Sequence, residues 1–272
     1  DGFRFSMNAG DYRAPIYAAA DEFRVYAVPV EGDLFAELAG SARLEELGKG
    51  RQGAVLVASD DVRGIPIVRT TTAYARPAQR FAPIHAALAQ RIRACASLAI
   101  PFNNALLEVY ARAYTKMGAH SDQALDLDEA GEIALFSCYE RPEAGASRRL
   151  IVESKEPGAP SFEIPLLHGR VVVFSADTNR RFRHRIVPDP VGDPDNRWLG
   201  LTLRTSKTWV QLRDGAPRLA DGTPLTLADD EERRAFLRLR RRENQEIDFV
   251  YPRVTCTLSP SDLWPPETAA ER

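Results

Sequence analysis

Residues 169–187 read GRVVVFSADTNRRFRHRIV. The opening GRVVVFSA is a short apolar run rich in valine. The closing RFRHRIV alternates with the period of two that sends successive side chains to opposite faces of a strand. One face of that second strand therefore turns inward and the other outward. Runs of the same kind recur on either side: ALLEVYARAY (105–114), EIALFSCY (132–139), RRLIVES (148–154), SFEIPL (161–166) and RWLGLTLRTSKTWVQL (197–212). Turns rich in Pro, Gly and Asp separate them. Strands this short, at this spacing, predict a barrel or a sandwich.

The amino-terminal third is of a different kind. EFRVYAVPV (22–30) and AVLVAS (54–59) have strand composition, while GDLFAELAGSARLEELGKG (32–50) places Leu34, Leu38 and Leu44 at near-helical intervals before a Gly-rich stop. The stretch 64–83 is broken by Pro66, Pro77 and Pro83 and reads as loop or edge structure. Its Arg69, Thr70, Thr71, Thr72, Tyr74 and Arg76 mix hydrogen-bonding and stacking groups, which makes it a candidate substrate lid. Residues 84–98 carry Ile84, Leu88, Ile92 and Cys95 at helical spacing. Towards the carboxyl end, 226–245 reads as a helix with Asp229 and Glu232 at capping-box spacing, and its RLRRR run reads as a solvated basic face. The Pro-rich ending is expected to pack loosely. The expected organisation is one structural domain: a strand and helix extension (1–101) with the lid at 64–83, a catalytic core (102–212) and a helical extension (213–272).

Composition narrows the function. The chain has 272 residues, 44% hydrophobic and 27% charged, which is ordinary globular composition. A net charge of -2 and a pI near 6.2 argue against a surface built wholly for nucleic acid. Three widely spaced cysteines (Cys95, Cys138, Cys256) with no C-x-x-C fit reduced thiols. No apolar run reaches membrane-span length, and the first fifteen residues lack the order of a signal peptide. The expectation is a soluble, cytoplasmic protein with no membrane partner.

The chemistry is carried by GAHSDQ (118–123). His120 and Asp122, one residue apart, share a face of an extended chain. His184 in RFRHRIV supplies a third ligand candidate, since distant strands of a barrel can face each other across one mouth. Two imidazoles and a carboxylate leave open positions on a metal. Non-heme Fe(II) oxygenases use that set, and zinc is the competing assignment. LTLRTS then supplies Arg204 and Ser206, a guanidinium fork and a hydroxyl suited to a carboxylate such as that of 2-oxoglutarate.

In order and spacing, FNNALLEVYARAYTKMGAHSDQ, IALFSCY, IPLLHGRVVVFSADTNRRFRHRIVP and RWLGLTLRTS resemble the AlkB-like branch of the Fe(II)- and 2-oxoglutarate-dependent dioxygenases, over about residues 102–206. The resemblance implies an α+β, mainly β chain built on a double-stranded β-helix (jelly roll), flanked by N-terminal helices and a C-terminal helix. It implies iron held by His120, Asp122 and His184. It implies 2-oxoglutarate contacted by Tyr110, with Tyr114 as the alternative, and its distal carboxylate held by Arg204 with Ser206. The family carries two arginines about six apart on the last of these strands. Arg204 matches the second; Trp198 stands in the first place, and Arg197, one residue before it, is the further candidate for contact with the co-substrate. Two further departures concern substrate. Gln123 and Ala124 follow the H-x-D where nucleic-acid dealkylases are commonly acidic, and Glu108 stands where the family usually has Asn.

The implied activity is C–H hydroxylation or oxidative N-dealkylation, with O2 consumed and succinate and CO2 released, on a small-molecule or nucleoside-like substrate. Arg69, Tyr74 and Gln123 are the candidate substrate contacts. The alternative is an AlkB-like dealkylase of DNA or RNA using Arg69, Tyr74 and the basic helix at 233–242.

Overall fold

The computed structural model describes residues 17–19 and 22–268, so the opening stretch read for a targeting signal lies outside the described residues. The amino-terminal elements are β1 (Tyr17–Ala19), β2 (Phe23–Ala27), α1 (Leu34–Gly40), β3 (Glu45–Gly48), β4 (Arg51–Val57), β5 (Ile65–Pro66), β6 (Gln79–Arg80) and α2 (Pro83–Cys95). The central ones are β7 (Asn104–Tyr110), β8 (Glu132–Tyr139), β9 (Arg148–Ser154), β10 (Phe162–Pro165), β11 (Arg170–Ser175), α3 (Ala176–Arg181), β12 (Phe182–Pro188) and β13 (Trp198–Arg204). The last are β14 (Trp209–Arg213), β15 (Ala216–Leu219), β16 (Thr226–Leu227), α4 (Asp230–Glu243) and β17 (Cys256–Thr257).

The major sheet runs β1-β2-β11-β8-β13-β7-β4-β3, with β6 beside β4, and a minor sheet runs β10-β9-β12. This is the mainly β jelly-roll architecture, with helices added. Alternation along the strands sorts side chains into two cores. On one face of the major sheet, Leu107, Val109, Leu199, Leu201, Phe136 and Cys138 pack under α1 and α2 through Leu38, Leu88 and Ile92. The other face turns to the minor sheet, where Leu135, Phe174 and Tyr110 meet Leu150, Val152 and Ile186. That second face holds the site.

Register fixes which side chains share it. Arg51, Tyr110, Trp198 and Tyr139 lie opposite one another across β4, β7, β13 and β8. Two residues along come Gly53, Glu108, Gly200 and Ser137, then Val55, Leu106, Thr202 and Leu135, and finally Val57, Asn104 and Arg204. Directly opposed residues project to the same side, so these rows form the floor of one trough.

Several local expectations need correction. The helical reading of 32–50 holds only for Leu34–Gly40. EELG is instead strand β3, and the Gly-rich segment is its hairpin turn into β4, with Gly48, Lys49 and Gly50 all at positive φ (84°, 56° and 76°). The run at 197–212 splits into β13 and β14, the latter paired with β5 and β15. The described part of the carboxyl-terminal segment, to residue 268, does not pack loosely. Cys256, Thr257, Leu258 and Ser261 are buried, β17 pairs in parallel with β16, and the Tyr74 N–H donates to Ser259 Oγ at 3.0 Å. Among the described residues no helix is long and apolar enough to cross a membrane.

Candidate metal centre

β12 buries every second residue, which turns His184 inward while Arg183 and Arg185 pair outside with Glu153. The segment carrying His120 docks on this strand. The His120 N–H donates to the His184 carbonyl at 2.9 Å and the His184 N–H returns to the His120 carbonyl at 2.7 Å, so the two rings lie 4.8 Å apart. His120 Nδ1 lies 2.9 Å from the Gly118 carbonyl, a bond that leaves Nε2 free for a metal. Asp122 is fixed by Asn179 of α3, which accepts from the Asp122 N–H and donates to its carbonyl, both at 2.7 Å.

One ligand atom from each of His120, Asp122 and His184 lies within 4.8 Å of the others. Asp122 Oδ1 is 3.6 Å from His184 Nε2, and Asp122 Oδ2 is buried with no hydrogen-bond partner. Burial opposes ionisation of Asp122, but bonding to His184 and the charges of His184 and Arg204 outweigh it and hold the carboxyl well below its usual range. Burial, reinforced by His184 and Arg240, pushes His120 down to about 4. A carboxylate and a neutral imidazole are the ligating forms at neutral pH. The donor set and the orphaned carboxylate oxygen thus fit a divalent cation.

The centre opens into a pocket of about 470 Å³. Arg204, 2% exposed, stands at its metal end. Its Nη1 is 3.9 Å from Asp122 Oδ2, its Nη2 donates to Asn104 Oδ1 at 3.1 Å, and its Nε has no partner. A buried guanidinium with an unpartnered nitrogen beside a candidate metal site has the donors that a carboxylate would need. Tyr110 and Tyr114 also line the pocket, their rings 4.3 Å apart, and burial pushes both phenols up. Gln123 borders it too, with the amide oxygen and nitrogen both buried and unpartnered.

Four sequence candidates fall elsewhere. Ser206 lies beyond the end of β13, and its hydroxyl donates to the Ile67 and Thr208 carbonyls, so it does not face the pocket. Arg197 points outward, paired with Glu140 and stacked over Phe35. Arg69 is 3% exposed and locked to Asp126, with further bonds to the Val254 and Cys256 carbonyls. Tyr74 is 1% exposed, its hydroxyl donating to Glu108 at 3.3 Å. Of the 64–83 segment, Thr70, Thr71 and Thr72 border the pocket.

The sequence reading found α4 but not its place. Its Asp229–Glu232 capping box forms as expected, but the helix lies over the site instead of standing in solvent. Asn244 accepts from the Ser121 N–H at 3.0 Å, Glu243 accepts from the Ala124 N–H at 2.7 Å, and Arg240 bonds the Ser121 carbonyl. Leu237, Arg241 and Asn244, at helical spacing, form one wall of the pocket. The capping box signalled the helix, but nothing in it signalled which face turns to the metal.

The family model described as the 2OG-Fe(II) oxygenase superfamily matches residues 56–204. The chain belongs to that superfamily. Its members use Fe(II), 2-oxoglutarate and O2, and the enzyme is an oxidoreductase of the dioxygenase class. A solved structure titled "The structure of OsALKBH1" is similar at a TM-score of 0.40 and 14% identity, over 62% of this chain and 88% of that one. No curated protein matches. In this dioxygenase, His120, Asp122 and His184 are the residues that would hold the iron.

Proposed function

We propose that this dioxygenase is of the AlkB-like type and oxidises a small-molecule or nucleoside-like substrate, hydroxylating a C–H bond or removing an N-linked carbon. The observation that carries this reading is the size of the pocket. About 470 Å³, walled by α4, Thr70, Thr71 and Thr72, is room for a five-carbon oxo acid and a compact second molecule. Bound iron, with 2-oxoglutarate and O2, supplies the oxidation: one oxygen atom enters succinate as CO2 leaves, and the other enters the substrate. The protein's own residues orient the partners. Arg204 holds a carboxylate of 2-oxoglutarate, Tyr110 lines its path, and the Gln123 amide offers one donor and one acceptor to a polar, uncharged edge of the substrate. Three unpaired, buried cysteines support a reducing compartment, and we place the enzyme in the cytoplasm.

The test is succinate formation with Fe(II), 2-oxoglutarate and O2 across a metabolite panel. At least one small molecule is expected to stimulate it, and His120→Ala is expected to abolish it. Robust turnover of methylated oligonucleotides, with no small molecule coupled to succinate, would overturn the substrate assignment. That second reading, a dealkylase of DNA or RNA, draws on the arginines of α4 near the mouth, since Arg69 and Tyr74 are engaged inside the fold.

A further inference from the structure

The trough has a second charged end. A 2-oxo diacid that chelates a metal through its keto-acid end sends its other carboxylate roughly 5–6 Å away, the span of four carbon–carbon bonds of about 1.5 Å each. From the metal end, where Arg204 lies, the floor continues through the Leu106–Thr202 row to the rows of Glu108 and then Arg51 and Tyr110. Position 198 of β13 supplies no cation there. The Trp198 ring lies flat over Gly200, so close that a Cβ on Gly200 would sit 2.1 Å from it, and its centroid is 4.8 Å from that of Tyr110.

The lining residues contain four cations: Arg51, Arg204, Arg240 and Arg241. Arg240 is engaged by Glu243 and the Ser121 carbonyl, and Arg241 sits on the exposed face of α4. Arg204 is at the metal. Arg51 alone stands, half-buried, at the far end. Glu108 accepts from its Nε at 2.8 Å and its Nη2 at 2.5 Å, and Thr72 Oγ1 accepts from Nη2 at 3.2 Å, so Nη1 is not used by Glu108. Glu108 is itself saturated by the Tyr110 and Tyr74 hydroxyls at 2.9 and 3.3 Å. A carboxylate fully bonded in this way fixes the plane of the guanidinium, which the Tyr114 side chain also meets and which borders the pocket.

Building on the co-substrate reading above, we infer that Arg51 of β4 binds the carboxylate of 2-oxoglutarate remote from the metal, and that Arg204 holds the one at the metal. The sequence reading gave the remote carboxylate to Arg204, and the structure moves it to a strand outside the resembling segment. Arg51, held by Glu108, thereby becomes the residue that selects a diacid over an oxo acid with an uncharged tail.

The experiment is anaerobic calorimetric titration of the Fe(II)-loaded enzyme with 2-oxoglutarate and with 2-oxopentanoate, which has the same carbon chain and no second carboxylate. The wild type is expected to prefer the diacid. Arg51→Gln is expected to weaken 2-oxoglutarate by about 10–100-fold, the range for a lost charge-assisted hydrogen bond, and to leave 2-oxopentanoate within about twofold. Should Arg51→Gln not fold, because Glu108 is stranded without its counter-ion, Arg51→Gln with Glu108→Gln removes both charges and carries the same expectation. Equal weakening of both acids, or unchanged 2-oxoglutarate binding, overturns the inference, as does loss of the preference in Arg204→Gln but not in Arg51→Gln. If neither acid binds the wild type, the co-substrate reading falls, and this one with it.

Discussion

Asn179→Ala isolates what holds the metal loop in place. The Asn179 side chain, 1% exposed, makes both of its strong bonds to one residue, accepting from the Asp122 N–H and donating to the Asp122 carbonyl at 2.7 Å each. Its removal strands a backbone donor and acceptor. At about 1–3 kcal/mol for each unsatisfied buried group, partly relieved by relaxation, the loss in folding stability is about 2–4 kcal/mol. For a chain of this length that corresponds to a fall of roughly 4–16 °C in Tm. Because the bonds fall on a metal ligand, the substitution is also expected to weaken metal binding by about 10–100-fold, the usual effect of losing a group that orients a ligand. Asn196→Ala is the matched control. Asn196 is equally buried and bonds the Arg141 backbone twice, at 3.0 and 2.8 Å, and the Gly145 carbonyl at 2.9 Å, without touching the metal loop. Thermal melts of the metal-free proteins and Fe(II) or Mn(II) titrations against a competing chelator separate the two effects. Both variants lose stability, and only Asn179→Ala loses metal affinity. Equal metal affinity in the two would refute the reasoning.

Three other outcomes are expected. Arg69→Ala should destabilise the fold by about 3–5 kcal/mol in urea unfolding, because it strands the buried Asp126 carboxylate, while Arg69→Met with Asp126→Leu should recover much of that loss. Burial pushes Asp262 up to about 7 against the Thr257 hydroxyl bond that opposes it. Stability from this group is therefore present below about pH 4 and lost as pH rises through about 7, by at most roughly 4 kcal/mol; Asp262→Asn should flatten that slope between pH 5 and 8, and an unchanged slope would count against the assignment. Gly200→Ala should cost about 1–3 kcal/mol by forcing the Trp198 ring off its seat, with a change in near-ultraviolet dichroism; an unperturbed aromatic spectrum would contradict the packing described.

The metal triad was legible in the sequence because ligation demands particular residue types, and the alternation of RFRHRIV already sent His184 inward. Arg204 was legible for the same reason, as part of a regular strand. Ser206 was not. The period of two carried it to the same face as Arg204, but the strand ends at Arg204 and the hydroxyl turns to backbone carbonyls. Arg69 and Tyr74 show the converse limit: groups that can recognise a ligand can equally satisfy a buried carboxylate, and only tertiary structure shows that Asp126 and Glu108 await them. The α4 contacts were beyond reach, since Asn244 and Glu243 meet the metal loop across more than a hundred residues of chain.

That helix also bears on substrate size. Read as a string, RLRRR offers a polyanion a basic stripe, but the fold engages half of it. Arg240 is paired with Glu243 and Arg242 with Glu246, so of its four arginines Arg238 and Arg241 remain without an ion pair among the described residues, and of those two Arg241 borders the pocket. A nucleic acid reaching the iron past these two cations would release few counterions, and its binding should vary with salt at a log–log slope of about -2, far below the slope of a protein that makes many phosphate contacts. A compact substrate with a single anionic group needs no more than Arg241. A steep salt slope, near -5 or beyond, would require a phosphate track that the pairing of Arg240 and Arg242 denies, and would return the nucleic-acid reading to first place.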